Sequence, residues 1–177
     1  MRPAKILLPL LLFASLGVQA APLDDALQAF NSGKYSQAAE MLAPLAKSGN
    51  AVAQQRLGML YYHGRGVKED ELAAVELWKK SAAQGNVDAM FRIAYAYTFS
   101  DKVARTVADP ELEAAKMYYE AANAGHAEAQ FNLGMMFLTG KGVVKDRSEA
   151  LRWIQMAAAQ GHPEAKSFIS TDSGNGR

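Results

Sequence analysis

The sequence predicts an all-α chain of stacked helical hairpins, and three observations carry that prediction. Alanine occurs 33 times in 177 residues, whereas Val, Ile and Thr together number 17. Alanine is the best helix former, and β-branched residues are what strands prefer. The chain matches itself at a spacing of 36 residues, lengthened to 40 in one unit. Within the units, apolar residues recur every four positions, as at Ala53, Leu57 and Tyr61 or at Ala74, Trp78 and Ala82. That spacing marks one face of a helix.

Residues 1–20 read as an address. Arg2 and Lys5 precede an apolar run from Ile6 to Leu16, interrupted only by Pro9 and Ser15, and Gly17-Val18-Gln19-Ala20 follows. A spanning helix needs about 20 apolar residues, which this run does not reach. A secretory signal peptide cleaved after Ala20 is therefore expected, with the product in the periplasm or outside the cell and no integral membrane anchor. Cleavage removes two basic residues and no acidic ones, leaving 17 basic against 18 acidic and a formal charge of −1. A near-neutral chain gives no electrostatic argument for nucleic acid. Basic residues gather in loops at Arg65 and Lys68, Lys102 and Arg105, and Lys141, Lys145 and Arg147, but acids stand among them.

Units are expected at about 24–50, 51–86, 87–126 and 127–162. Gly49, Gly85, Gly125 and Gly161 close them. Ala51-Val52-Ala53-Gln54-Gln55-Arg56-Leu57-Gly58 aligns with Ala127-Glu128-Ala129-Gln130-Phe131-Asn132-Leu133-Gly134. Gly64, Gly66 and Val67 fall on Gly140, Gly142 and Val143. Glycines of this kind end a helix and turn the chain. Gly58 and Gly134 lie inside first helices, where glycine costs about 1 kcal/mol against alanine, so close helix approach is expected there. Unit three carries Ala94 at that place and lacks the Gly-x-Gly-Val loop. Its Ser100–Pro110 segment holds four extra residues and is expected to be longer and more mobile than its counterparts. A capping helix is expected over 163–169, and residues 170–177 read as a disordered tail.

The pattern from Ala53 to Gly85, Ala-x-x-x-Leu-Gly-x-x-Tyr-x-x-Gly-x-Gly-Val-x-x-Asp-x-x-x-Ala-x-x-x-Trp-x-x-x-Ala-Ala-x-x-Gly, resembles the Sel-one-like repeat, a relative of the tetratricopeptide repeat. Gly33-Lys34-Tyr35-Ser36-Gln37-Ala38 of the first unit is more like the turn of a plain tetratricopeptide hairpin. The resemblance implies a right-handed α-hairpin solenoid whose first helices line a concave face. Some secreted relatives are cysteine-rich and have been linked to β-lactam binding. This chain has no cysteine, which also excludes disulfides and thiolate chemistry.

Little else proposes chemistry, and no cofactor or metal is expected. His126 and His162 stand where Asn50 and Asn86 stand in other units, after the closing glycine, and read as helix caps. His63 precedes Gly64 at a helix end. Gly64-Arg65-Gly66 is repeat punctuation, because a phosphate loop needs Gly-x-x-x-x-Gly-Lys before Ser or Thr. No Gly-x-Ser-x-Gly elbow is present. The resemblance directs Gln55, Met59 and Tyr62, then Phe91, Tyr95 and Thr98, then Phe131, Met135 and Leu138 toward the groove, and Phe99 follows Thr98. This aromatic and methionine-rich set suits a hydrophobic peptide or helix, although Phe91 and Phe131 also fit packing between units. The expected function is an exported non-enzymatic scaffold or adaptor that holds a protein or peptide. The alternative is a secreted factor directed at a host or at the cell wall, hydrolases included. The oligomeric state is left open.

Overall fold

The computed structural model describes residues 20–175, so the expected signal peptide falls, except for Ala20, outside the described residues. Among the described residues ten helices follow one another and there is no strand. α1 (Ala20–Asn31) and α2 (Tyr35–Lys47) form the first hairpin, and α3 (Ala51–His63) and α4 (Glu71–Ala82) the second. α5 (Val87–Phe99), the single turn α6 (Asp101–Ala104) and α7 (Pro110–Asn123) form the third. α8 (Ala127–Thr139) and α9 (Arg147–Ala159) form the fourth, and α10 (Pro163–Asn175) closes the array. Each helix packs chiefly on its neighbours in the chain, as expected of a solenoid.

The caps follow the repeat. Asn50 and Asn86 accept the Ala53 and Ala89 amides at 2.9 and 3.0 Å. His126 and His162 do the same through Nδ1, from Ala129 and Ala165, at 3.2 and 3.3 Å. Asp70, Asp109 and Asp146 cap the second helices of their hairpins. Two glutamine pairs join consecutive elements. Gln54 Nε2 donates to Ala46 O and receives Gln84 Nε2 on its own Oε1, and Gln130 repeats this with Ala122 O and Gln160. The Gln54 and Gln130 side chains each add a second donor to a carbonyl near the C-terminal end of α2 or α7, beside the backbone amide of Gly49 or Gly125.

Gly58 lies against Trp78. A Cβ built on it would stand 2.4 Å from the indole Nε1, and the indole donates to Gln55 O at 3.1 Å. Gly134 is similarly close to Ile154 and to Ala150 O. The loop glycines have a second duty besides turning the chain. Gly66 lies on the backbone of Tyr35 and Ser36 at the start of α2, and Gly142 on Glu111 at the start of α7.

Unit three reaches the same landing place differently. The Ser100 hydroxyl contacts the Glu71 carboxylate at the start of α4 and accepts the Val103 amide. Val103 is fully buried in the main core. The four extra residues are thus folded into a helical turn that plugs the core, and the expected loose loop gives way to an anchored one. Ser100→Ala is expected to cost about 1 kcal/mol, the usual worth of a cap, measured by urea unfolding. Amide exchange at Val103 and Ala104 should rise in that variant and stay slow in the native protein.

The C-terminal boundary also differs from expectation. α10 continues past Ile169 through Asn175. Ser170 and Thr171 hydroxyls bond back to Ser167 and Phe168 carbonyls, and Asp172 pairs with Arg147 of α9. That tertiary partner holds a turn and a half that composition assigned to a tail.

Candidate functional site on the first-helix face

The first helices stand side by side. Arg56 of α3 lies over the Phe30 ring of α1, with 5.3 Å from its guanidinium carbon to the ring centre. Residues of α3 and α5 share one cavity, and residues of α5 and α8 share another. α1, α3, α5 and α8 therefore form one face, with the second helices behind it.

The expected groove residues divide into three groups. Tyr95 and Phe99 are open to solvent, 42% and 64% exposed, and their rings touch at a 4.5 Å centroid separation. Thr98 beside them is also exposed and donates to Ala94 O. Met59 and Tyr62 are half-buried. Tyr62 packs on Trp78 at 5.2 Å, and burial raises its phenol pKa, with Glu71, Tyr95 and Glu69 adding to the rise. The remainder pack within the fold, Met135 and Leu138 remaining half-buried. Gln55 is buried and not available to a ligand; its side chain donates to the Met59 sulfur. Phe91 stacks on the His126 imidazole at 4.5 Å, and Phe131 on His162 at 4.8 Å, each tying a first helix to the cap of the helix that follows its hairpin. Phe131, Met135 and Leu138 pack around Ile154, Ala157 and Ala165, under α9 and α10. The accessible aromatic surface is thus the α3–α5 portion of the face rather than its whole length.

A cavity of about 220 Å³ opens there, lined by Tyr62, His63, Trp78, Arg92 and Tyr95. Burial lowers the His63 pKa; Arg65 and Arg92 lower it further, against Glu69. The second cavity, about 380 Å³, lies between α5, α7 and α8 and includes Thr98, Tyr118, Asn132 and Met135. Among the described residues no cluster of three His, Asp or Glu side chains could hold a metal ion.

The His126 cap carries a pH dependence. Nδ1 of His126 accepts an amide, which places the neutral ring's proton on Nε2, 3.5 Å from Asp88 Oδ1. Protonation would set a second N–H against the Ala129 amide and remove the cap. Burial lowers the His126 pKa, opposed by Asp88 and Glu128 and aided by Arg92. With the folded value below the unfolded one, the unfolded chain binds the extra proton as pH falls from about 6.5, so stability declines through that window. His126→Asn keeps a cap of the kind used at Asn50 and Asn86 but does not titrate. Urea midpoints at pH 7.5 and 5 should lie closer together in that variant than in the native protein. An unchanged gap would dismiss His126 as the source.

The family model of the Sel1 repeat matches residues 51–86, 87–126 and 127–162. The chain belongs to the Sel1 repeat family. The first hairpin, with its three-residue turn, lies outside the matched units. Repeats of this family generally act as scaffolds for protein–protein interaction, and bacterial members are often periplasmic or secreted. The fold resembles a Sel1 repeat protein from Oxalobacter formigenes, with a TM-score of 0.78 and 26% identity over 89% of this chain; the chain spans 64% of that protein's length. A putative Sel1 repeat protein from Klebsiella pneumoniae matches 86% of this chain and 76% of its own, at 19% identity and a TM-score of 0.54. Helicobacter pylori cysteine rich protein B matches 81% of this chain and 94% of its own, at 18% identity and a TM-score of 0.55. These two likenesses concern the fold alone. A comparison with curated proteins gave no match. Among the described residues no helix is long and apolar enough to cross a membrane.

Sequence reasoning assigned no role to two recurring sets. Gln54 and Gln130 recur in equivalent places and carry the junctions described above. Arg56 and Arg92 lie 36 positions apart on the face itself.

Proposed function

We propose that this Sel1 repeat protein is an exported, non-enzymatic adaptor that holds a protein or peptide segment across the α3–α5 part of its first-helix face. The observation that supports it is the contiguous aromatic surface of Tyr62, Tyr95 and Phe99 beside a cavity floored by Trp78. Exposed aromatic clusters of this kind mark interaction sites, and aromatic anchors dominate the energetics of many interfaces. Export rests on the n-region, apolar run and small-residue exit of residues 1–20.

Two measurements test the reading. Intact mass of the protein purified from its native envelope should correspond to a chain beginning at Ala21, and retention of Met1 through Ala20 would refute export by cleavage. Tyr62→Ala combined with Tyr95→Ala should weaken partner capture from that envelope at least about tenfold, or about 1.4 kcal/mol. Helical circular dichroism should survive, because neither side chain belongs to the fully buried core. Undiminished capture by the folded double variant would remove this face from consideration.

A further inference from the structure

We propose that the occupant of this face is acidic, and that its carboxylates seat on Arg56 and Arg92. The inference rests on the peptide-binding reading above and adds the chemistry that selects the peptide.

Arg56 and Arg92 are each the sixth residue of their helices, α3 and α5, so the repeat places both on the same face. Both are half-buried. A half-buried guanidinium ordinarily finds a carboxylate, since an unpaired charge loses hydration without recompense. Among the described residues, neither appears in an ion pair, and the Nε of each is buried with no hydrogen-bond partner. The Arg56 side chain is instead spent on the Met59 sulfur, 3.7 Å from Nη1, and on the Phe30 ring. Both are weak partners compared with a carboxylate.

The neighbouring acids do not fill the gap. Asp88 stands one turn before Arg92, is largely exposed, and approaches His126 Nε2 at 3.5 Å. Glu69 and Glu71 act on His63 and Tyr62 at the rim, and Glu71 also meets the Ser100 hydroxyl. Burial holds the Arg92 pKa below its ordinary value; Asp88 opposes this, and the like charge of Arg56 adds to it. None of Asp88, Glu69 and Glu71 forms an ion pair with Arg56 or Arg92.

The surroundings narrow the anion to a carboxylate on an otherwise apolar segment. Arg92 shares its cavity with Tyr62, Trp78 and Tyr95, whose rings exclude water and strengthen a charge-assisted bond. A guanidinium fork matches a carboxylate through two parallel N–H donors. Apolar residues of the same segment find Tyr95 and Phe99 adjacent. A nucleic acid is disfavoured, because it needs a continuous basic track, and these two cations are bordered by Asp88, Glu69 and Glu71.

The test uses the chain from Ala21 to Arg177 and two probes. The first is a fluorescein-labelled peptide repeating Leu-Glu-Phe-Glu, compared with its Leu-Gln-Phe-Gln counterpart and with oligothymidine. The second is glutarate at constant ionic strength, with Arg Nε–Hε resonances followed by NMR. The glutamate peptide is expected to bind about tenfold tighter than the glutamine peptide. Arg92→Gln and Arg56→Gln should each erase most of that preference while circular dichroism is unchanged. Tyr62→Ala with Tyr95→Ala should weaken both peptides alike. Glutarate should move the Arg56 and Arg92 resonances and leave Arg147 and Arg152 in place. Selective glutarate shifts without peptide binding would uphold carboxylate recognition and defeat the peptide-adaptor reading. Equal binding of the two peptides, tighter binding of oligothymidine, a preference that survives Arg92→Gln, or glutarate shifts shared by all arginines would each overturn the proposal.

Discussion

Gly142→Ala is expected to cost about 4 kcal/mol, at the exceptional end for a single substitution, and to release the C-terminal hairpin before the rest of the array. Two effects combine. Gly142 has φ of 65°, and an L-residue held there costs roughly 1–2 kcal/mol. A Cβ at this place would also stand 2.1 Å from Glu111 O and 2.9 Å from Leu112 N. Those are backbone atoms in the first turn of α7, so no rotamer change relieves the overlap. The loop must lift, and lifting it loosens the seating of α8 and α9 on α7. A solenoid unit is stabilised only by its neighbours, so units one to three should remain folded. Gly140→Ala in the same loop is the control. Its φ is 80°, but its nearest neighbour would be Lys145 Cβ at 3.5 Å, an ordinary contact. Gly140→Ala should therefore show the conformational cost alone. Urea unfolding with amide exchange over residues 127–162 separates the two, and equal penalties would mean that close approach of the loop contributes nothing.

The contrast between these glycines shows what a single sequence discloses. Punctuation was legible, because a glycine at a fixed interval needs no partner to announce a helix end. The caps at His126 and His162 were legible for the same reason, since their places coincide with Asn50 and Asn86. What Gly142 touches was not legible, because Glu111 is 31 residues away and belongs to the preceding unit. The same limit applies to α10. Residues 170–175 are small and polar and carry no apolar period, and the contact that extends the helix is Asp172 with Arg147. Unit three lacks the Gly-x-Gly-Val loop, which reads as loss of order until Val103 is seen filling the core.

On the candidate face, the family resemblance pointed to one side of α3, α5 and α8 but could not divide that side into buried and open portions. Phe91 and Tyr95 are one turn apart. The first is consumed by His126 stacking and the second is exposed. Phe131, Met135 and Leu138 sit at equivalent places in the last unit, but there α10 contributes to what covers them, and repeat alignment cannot register a helix that occurs once. Arg56 and Arg92 belong to no apolar stripe, so in the sequence only their interval of 36 marks them.

Combining Gly58→Ala with Trp78→Ala should be less damaging than Trp78→Ala alone. Trp78 is 2% exposed, donates its indole N–H to Gln55 O, and floors the cavity beneath Tyr62. Its truncation is expected to cost about 3–5 kcal/mol. Gly58→Ala alone inserts a methyl group 2.4 Å from the indole nitrogen and 2.7 Å from Cδ1. Helix propensity favours that change by about 1 kcal/mol, yet overpacking of this kind costs roughly 1–3 kcal/mol, and the indole is fixed by its hydrogen bond. A net loss of about 2 kcal/mol is expected. In the double variant the clash has no second party, the alanine restores propensity, and its methyl group occupies part of the void. The coupling between the two sites should then reach about 3 kcal/mol, the upper end for residues in contact. Unit three already carries a related pair in the native chain, with Ala94 at the glycine position and Tyr118 at the tryptophan position. The Tyr118 hydroxyl faces the Thr98 side chain, whereas the Trp78 indole beside Gly58 donates to the backbone carbonyl of Gln55. Denaturation of the four proteins of the cycle decides the matter: penalties that add within about 0.5 kcal/mol would show that the glycine does not set the α3–α4 separation.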